Sequence, residues 1–315
     1  MKGRFGTIGV LMGGYSSERE ISLRSGQGVA LALAEAGHQV VPVDINVSDR
    51  RRIMALIKDA AMDIAFIALH GRLGEDGVIQ SILEEMDIPY TGSGPAASRL
   101  AFDKTVTQTL LNQAGLPVPP YVLITDGKPP AFKDVFAVLK NLPFVVKAAC
   151  EGSSIGVYMV RHPSQWESTL KDALSFGEHV IVEKFIKGRE FTAGIFDRAP
   201  LPLVEIRARS AMFDFNAKYQ KGATEYIVPT PLDEALTARI QQAALRAFDV
   251  LGCGAFARVD VRVDEKGDPC ILEVNTIPGF TGTSLFPKAA QKAGYSFAGV
   301  CEKLLDLGYG KKVEH

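Results

Sequence analysis

Short apolar runs alternate with helix-length amphipathic stretches over the first hundred residues. Thr7–Met12 reads as a buried strand, and Gly13–Gly14 turns it into a helix starting near Ser17. Val40–Asp44 and Ile64–Leu69 are two further strands, separated by the helical stretches Gly26–Ala36 and Arg50–Ala60. This alternation predicts a parallel sheet with helices on its faces, and such sheets place ligands at the carboxyl ends of their strands. One helix is expected from Pro95 to Ala114, stopped by Gly115 and Pro117. The pattern then changes. Phe144–Ala149, Gly156–Arg161, Val180–Phe185 and Phe191–Phe196 read as strands around one helix near Pro163–Ser175, an α+β pattern suited to an antiparallel sheet. The expected fold is an α/β unit followed by α+β structure, with boundaries near Arg99 and Lys187.

The strongest chemical signal lies at Ala255–Thr276. Two β-rich runs flank Glu265–Asp268, whose Lys266–Gly267 centre predicts a hairpin turn. A turn centred there sets Asp260 opposite Glu273 and Arg258 opposite Asn275. Opposed residues share a sheet face, so these four point one way. Val259, Val261, Val263, Leu272 and Val274 point the other way, as a core. Two carboxylates about 5 Å apart at Cβ repel by about 3 kcal/mol at an effective dielectric near about 20. A cation relieves this, and an Asp/Glu/Asn oxygen set suits Mg²⁺, which completes its shell with phosphates. A solvated hairpin face, with Arg258 neutralising one acid, also fits the pattern. It leaves the sharp exit Thr276-Ile277-Pro278-Gly279 without a role.

Lys147 leads into Gly152-Ser153-Ser154-Ile155-Gly156, which matches the G-x-S-x-G of a hydrolase nucleophile elbow. That elbow needs a helix after it, whereas Val157–Val160 is strand-like. A β-loop-β reading fits better: small residues let backbone N–H groups close over phosphates, with Lys147 as a point charge. A plain surface hairpin is the alternative. The chain has no Walker G-x-x-x-x-G-K-[ST] motif, so a nucleotide is not held by a P-loop. Glu18 and Glu20, beside Gly13–Gly14, fit helix-start acids as well as they fit ligand contacts. His70 is equally ambiguous alone, but its place at the end of the third strand favours a ligand site.

Composition narrows the function. The 315 residues are 47% hydrophobic and 23% charged, which describes a folded chain rather than a disordered one. A net charge of −1 without long runs of either sign argues against a nucleic-acid groove or a polybasic membrane patch. The longest apolar run, Ile64–Leu69, is far too short for a membrane span. The N-terminal MKGRFGTIGVLMGG is basic then apolar, but its glycines fit a strand entering a loop better than a signal peptide. Cys150, Cys253, Cys270 and Cys301 stand singly, as expected of reduced thiols in a cytoplasm.

Taken together the segments resemble the D-alanine–D-alanine ligases of the ATP-grasp superfamily. The likeness rests on GGYSSEREISLRSG at Gly13–Gly26, LHGRLGEDGVIQ at Leu69–Gln80, IPYTGSG at Ile88–Gly94 and DK at Asp103–Lys104. It continues through EGSSIGV at Glu151–Val157, EKFIKGREFT at Glu183–Thr192, AKY at Ala217–Tyr219, GAFARVDV at Gly254–Val261 and EVNTIPGFTGTSLFP at Glu273–Pro287. It implies an N-terminal substrate-binding unit (1–99), a central ATP-grasp unit (100–187) and a C-terminal catalytic unit (188–315), with ATP between the last two. It assigns Lys104, Lys147 and Lys218 to phosphate contacts, and Asp260, Glu273 and Asn275 to two Mg²⁺, with Mn²⁺ as a substitute. Glu183, Lys184, Phe185 and Ile186 form the hinge for adenine, and Glu190 holds the ribose. Arg258 and the Gly279 N–H make the oxyanion site. Glu18, linked to Ser153 and Tyr219, holds the first D-alanine's ammonium, and His70 lies beside that substrate. Ser284 and Leu285 receive the second D-alanine's carboxylate. The implied reaction passes through D-alanyl phosphate to D-alanyl-D-alanine for peptidoglycan synthesis, in a cytoplasmic homodimer.

An acyl phosphate must be kept from water, and Ala208–Tyr226, with Lys218-Tyr219, is the candidate lid. Lys147-Ala148 stands where the family usually has Lys-Pro, and Phe213-Asp214-Phe215 where Tyr-Asp-Tyr is common. A D-alanine–D-lactate ligase is the nearest alternative. A serine hydrolase using Ser154 and a nucleotide sensor without chemistry are the readings from other classes.

Overall fold

The computed structural model describes residues 4–125, 129–152, 154–208 and 224–313. The chain opens with β1 (Thr7–Gly13), α1 (Arg19–Glu35), β2 (Gln39–Ile45), α2 (Arg50–Asp59), β3 (Ile64–Ile67) and α3 (Val78–Glu85). The three strands form a parallel sheet in the order β2-β1-β3. Alternation along the strands feeds two cores. Ile8, Val10, Met12 and Phe66 pack toward α1, while Leu11, Val43, Ile45 and Ile67 pack toward α2 and α3. β1 and β3 are buried along their whole length, as strands covered on both faces require, whereas the edge strand β2 buries only Val43 and Ile45. At the carboxyl ends Ser22 Oγ accepts from Gly13 N–H at 2.9 Å and donates to Ala68 O at 2.8 Å. That bond pair ties the ends of β1 and β3 together beside His70.

Where one helix is expected between Pro95 and Ala114 there are two, α4 (Pro95–Phe102) and α5 (Lys104–Gln113). Asp103 interrupts them at φ −85°, ψ 105°, and its carboxylate accepts from Thr105 and Val106 N–H as the α5 cap. The break starts α5 at Lys104 and lets its Nζ reach Glu151 O at 2.5 Å. Apolar periodicity does not register such a break, because both helices keep their buried stripe in phase.

The second sheet is antiparallel. β4 (Tyr121–Ile124), α6 (Phe132–Leu139), β5 (Phe144–Ala148), β6 (Val157–Val160), a 3₁₀ turn (Pro163–Gln165), α7 (Trp166–Leu174) and β7 (Val180–Lys184) give the strand order β4-β7-β5-β6. Its core is held by Phe132, Phe144 and Trp166 in edge contacts. The third sheet follows from β8 (Gly188–Phe196), β9 (Ala199–Pro200), β10 (Val204–Ala208), β11 (Thr224–Ile227), α8 (Glu234–Val250), β12 (Phe256–Asp264) and β13 (Pro269–Asn275). Its order is β11-β10-β8-β12-β13, with β9 on β8. The chain then returns through α9 (Leu285–Lys292) and α10 (Phe297–Val313) to the first sheet, where Val300, Leu304 and Leu305 join the α1 core. Phe280 is the pivot of this return, in ring contact with Phe66, Phe256, Phe286 and Phe297.

The β12–β13 pair carries the expected register only in part. Arg258 faces Asn275, Val259 faces Val274 and Asp260 faces Glu273, but a bulge after Asp260 pairs Val261 with Ile271. The turn tightens to match, with Asp264 O accepting from Gly267 N–H and Asp268 O accepting from Asp264 N–H. Leu272 is therefore displaced from the core face, where alternation puts it. Ile271 takes that place, fully buried, and Leu272 lines the cavity instead.

No helix among the described residues is long and apolar enough to cross a membrane.

Candidate active site

A cavity of about 320 Å³ lies where the three sheets meet. The first unit sends Glu18, His70 and Glu75 into it, and α5 with the second sheet sends Lys104, Lys147 and Glu183. The β12–β13 hairpin and its exit send Arg258, Asp260, Glu273, Asn275 and Gly279.

The acidic face follows from the register just described. Arg258 Nε and Nη2 donate to the two Asp260 oxygens, each at 2.9 Å. Asn275 Nδ2 lies 3.5 Å from Asp260 Oδ2, and Lys104 Nζ 4.0 Å from Glu273 Oε2. Burial works against the Arg258 charge, but Asp260, with Glu273 and Glu75, outweighs it and raises the guanidinium pKa above its ordinary value. The donor set fits a hard divalent cation. Two carboxylates and an amide oxygen on one sheet face are too few for a closed protein cage, which matches the Mg²⁺ habit of keeping water and phosphate oxygens. Among the described residues no cluster of three His, Cys, Asp or Glu side chains offers a rival site.

The opposite wall suits a nucleotide. Lys147 Nζ pairs with Glu183 Oε2 at 2.6 Å, both buried, and Glu183 Oε1 has no hydrogen-bond partner among the described residues. A buried acceptor left over in this way is costly unless a ligand donor reaches it. Lys184, Phe185 and Ile186 continue the wall, fixed by Lys184 N–H to Pro120 O and Phe185 N–H to Pro143 O. Arg262, which the sequence reading passed over, organises this stretch. Its Nη1 donates to Ile186 O at 2.9 Å, its guanidinium lies 4.7 Å from the Phe185 ring centre, and Nη2 is 3.5 Å from Glu190. Burial lowers its pKa, with the Glu190 charge opposing. The signal was available: Arg262 is two residues beyond Asp260, on the same face of the strand.

At the other end Glu18 is held by close backbone. A Cβ at Gly71, whose φ is +65°, would stand 2.7 Å from Glu18 Oε2, and one at Gly152 would stand 2.4 Å away. Only glycine lets both loops approach the carboxylate. His70 is buried, with Nε2 3.2 Å from Ser25 Oγ and Nδ1 3.6 Å from Glu75. Ser25 Oγ also accepts from Phe280 N–H at 3.4 Å, so one hydroxyl ties the imidazole to the loop before α9. Leu285 lines the cavity, and Ser284, at the start of α9, bonds to Thr281 N–H at 3.0 Å. Ser25, Glu75 and Glu151 were also missed as site residues: each lies inside a family motif (Gly13–Gly26, Leu69–Gln80 and Glu151–Val157), but none forms a chemical pattern of its own. Ser153, Lys218 and Tyr219 lie outside the described residues, as does 209–223 of the candidate lid.

Two structures of a D-alanine–D-alanine ligase from Bacillus anthracis share this architecture. One superposes with a TM-score of 0.88 at 36% identity; the other, complexed with ATP, gives 0.86 at 33%, and each match covers 98% of this chain and 99% of that one. The fold and the site define an ATP-grasp ligase. Residues 46–93 match the model for the D-ala D-ala ligase N-terminus and 110–306 that for its C-terminus. The D-alanine–D-alanine ligase of Desulforudis audaxviator is 47% identical over 304 residues, 95% of this chain and 97% of its own, and that of Syntrophotalea carbinolica is 43% identical over 298. This chain belongs to the D-alanine–D-alanine ligase family.

Proposed function

We propose that the chain joins two D-alanines at the expense of ATP, through D-alanyl phosphate, and so supplies a peptidoglycan precursor. The observation that carries this reading is the opposition of Asp260 and Glu273 in one cavity with two buried lysines, Lys104 and Lys147. Phosphoryl transfer asks mainly for positioning and charge neutralisation. Asp260, Glu273 and Asn275 would hold two Mg²⁺, whose contribution is to neutralise the transferring phosphates. Lys104 and Lys147 add point charges, with Lys218 as a third. Glu183 to Ile186 receive adenine and Glu190 the ribose.

Glu18 takes the first substrate's ammonium, with Ser153 and Tyr219 as partners, and His70 stands beside it. Arg258 and the Gly279 N–H receive the negative charge that develops when the second amine attacks. That amine must be neutral, so a base or water removes its proton. Ser284 and Leu285 bind the second carboxylate at the α9 start, where the helix dipole favours an anion. We read 1–99, 100–187 and 188–315 as the three units, the active form as a homodimer, and the cytoplasm, which suits four free thiols, as its place.

Phosphate release from ATP with D-alanine, L-alanine, D-lactate or no acceptor tests the proposal. Release specific to D-alanine, with D-alanyl-D-alanine as product, is expected. Release with D-lactate but not D-alanine as second substrate would move the chain to the ester-forming class.

A further inference from the structure

The β12–β13 bulge decides which side chains enter the cavity, and one residue outside the family motifs holds it. Gln108, in the middle of α5, is fully buried. Its Nε2 donates to Leu272 O at 2.8 Å and to Ile271 O at 3.3 Å. In a regular strand successive carbonyls point to opposite sides. Two consecutive carbonyls turned toward one amide are the mark of the bulge itself. β13 is the outer strand of its sheet, and Ile271 N–H on the same edge donates to Pro117 O at 2.8 Å. Gln108 and Pro117 thus cap the polar groups that the register shift leaves facing α5.

The orientation of the amide is fixed by this contact. Its oxygen has no hydrogen-bond partner among the described residues, and flipping the group would turn that oxygen onto two carbonyls. The register depends on it in turn. With the bulge, Ile271 and Val274 point to the core while Leu272 and Glu273 both face the cavity. Without it, the register set at the turn by Val263–Pro269, Arg262–Cys270 and Val261–Ile271 would continue to pair Asp260 with Leu272 and Val259 with Glu273, turning the Glu273 carboxylate toward the core.

Resting on the reading of Glu273 as a metal ligand, we infer that Gln108 is a positioning residue for the metal site. It clamps the bulge and so sets the Glu273 carboxylate against Asp260 and places Leu272 on the cavity floor. It touches neither nucleotide nor metal.

The test is calorimetry of ADP binding to the full chain, with Mg²⁺ and with EDTA, for wild type, Gln108→Met and Gln108→Glu. Methionine keeps the volume and removes the donors; glutamate keeps the shape and sets acceptors against the carbonyls. In both variants the Mg²⁺-dependent gain in ADP affinity is expected to fall by about tenfold or more, with affinity in EDTA within about threefold of wild type. The Mg²⁺ concentration for half-maximal turnover rises in parallel. A gain equal to that of wild type, or failure of both variants to fold, makes the amide merely structural and overturns the inference. Wild type binding ADP without any Mg²⁺ dependence would instead sink the metal assignment on which it rests.

Discussion

Asp260 faces Glu273 directly across β12 and β13, in the last pair before the bulge, and Arg258 grips both oxygens of Asp260 from two residues away. Like charges opposed on a sheet destabilise it, so the pair persists because cations surround it. Arg258 and Lys104 supply part of that charge within the chain. The remainder is the place for metal.

Arg258 cannot be replaced by a point charge. The guanidinium holds Asp260 by two parallel bonds, which an ammonium does not reproduce. Arg258→Lys is expected to lower kcat by about a hundredfold while leaving the KM for ATP within about threefold, since the group acts on charge that develops in the reaction. Steady-state kinetics of the purified variant check this; an unchanged kcat contradicts it.

Glu205 on β10 is buried between Arg189 and Arg207, whose nearest contacts are 2.8 and 2.9 Å. Burial works to raise its pKa, but the bonds and charges of the two arginines prevail and hold it below the usual carboxylate range. A depressed folded-state pKa stabilises the fold above the unfolded value of about 4.3 and is lost as pH falls through the folded value. Glu205→Gln should therefore cost about 1–2 kcal/mol at pH 7 and progressively less below about pH 4. Denaturant titrations of both proteins at pH 7 and pH 3 measure the difference. A penalty that persists undiminished at pH 3 would mean that packing, not charge, is lost.

Burial pushes the Cys150 thiol up to about 11, with Asp103 adding to it, and Cys253 up to about 12. At pH 8 little thiolate forms, so iodoacetamide should label Cys150 roughly a hundredfold more slowly than a free cysteine. Labelling should accelerate as pH rises toward 11. Mass spectrometry of the Cys150 peptide across pH reads this directly, and rapid labelling at pH 8 refutes it.

Much of the site is legible in the sequence. A hairpin with Asp, Glu and Asn on one face fixes a local geometry, and local geometry is what alternation reports. The partners of Asp260 and Arg258 were predictable for that reason. Leu272 was misplaced because a bulge breaks the period of two without leaving a glycine or proline as a marker. The split of α4 from α5 escaped notice because Asp103 works as a cap inside a stretch whose apolar stripe continues past it. Arg262, Ser25 and Gln108 matter through contacts with residues distant in sequence, from 76 to 255 positions away. Such pairings arise only when sheets pack together.

The most direct measurement is D-alanine-dependent phosphate release from ATP by Glu273→Gln. The amide keeps the size and the strand pairing of the glutamate but removes the charge that would bind magnesium. Turnover should fall by roughly a thousandfold, the several kcal/mol expected when metal stabilisation is lost, with the melting temperature near that of wild type. Wild-type turnover in that protein, at any Mg²⁺ concentration, would contradict the hairpin's role as the metal-gripping ribbon.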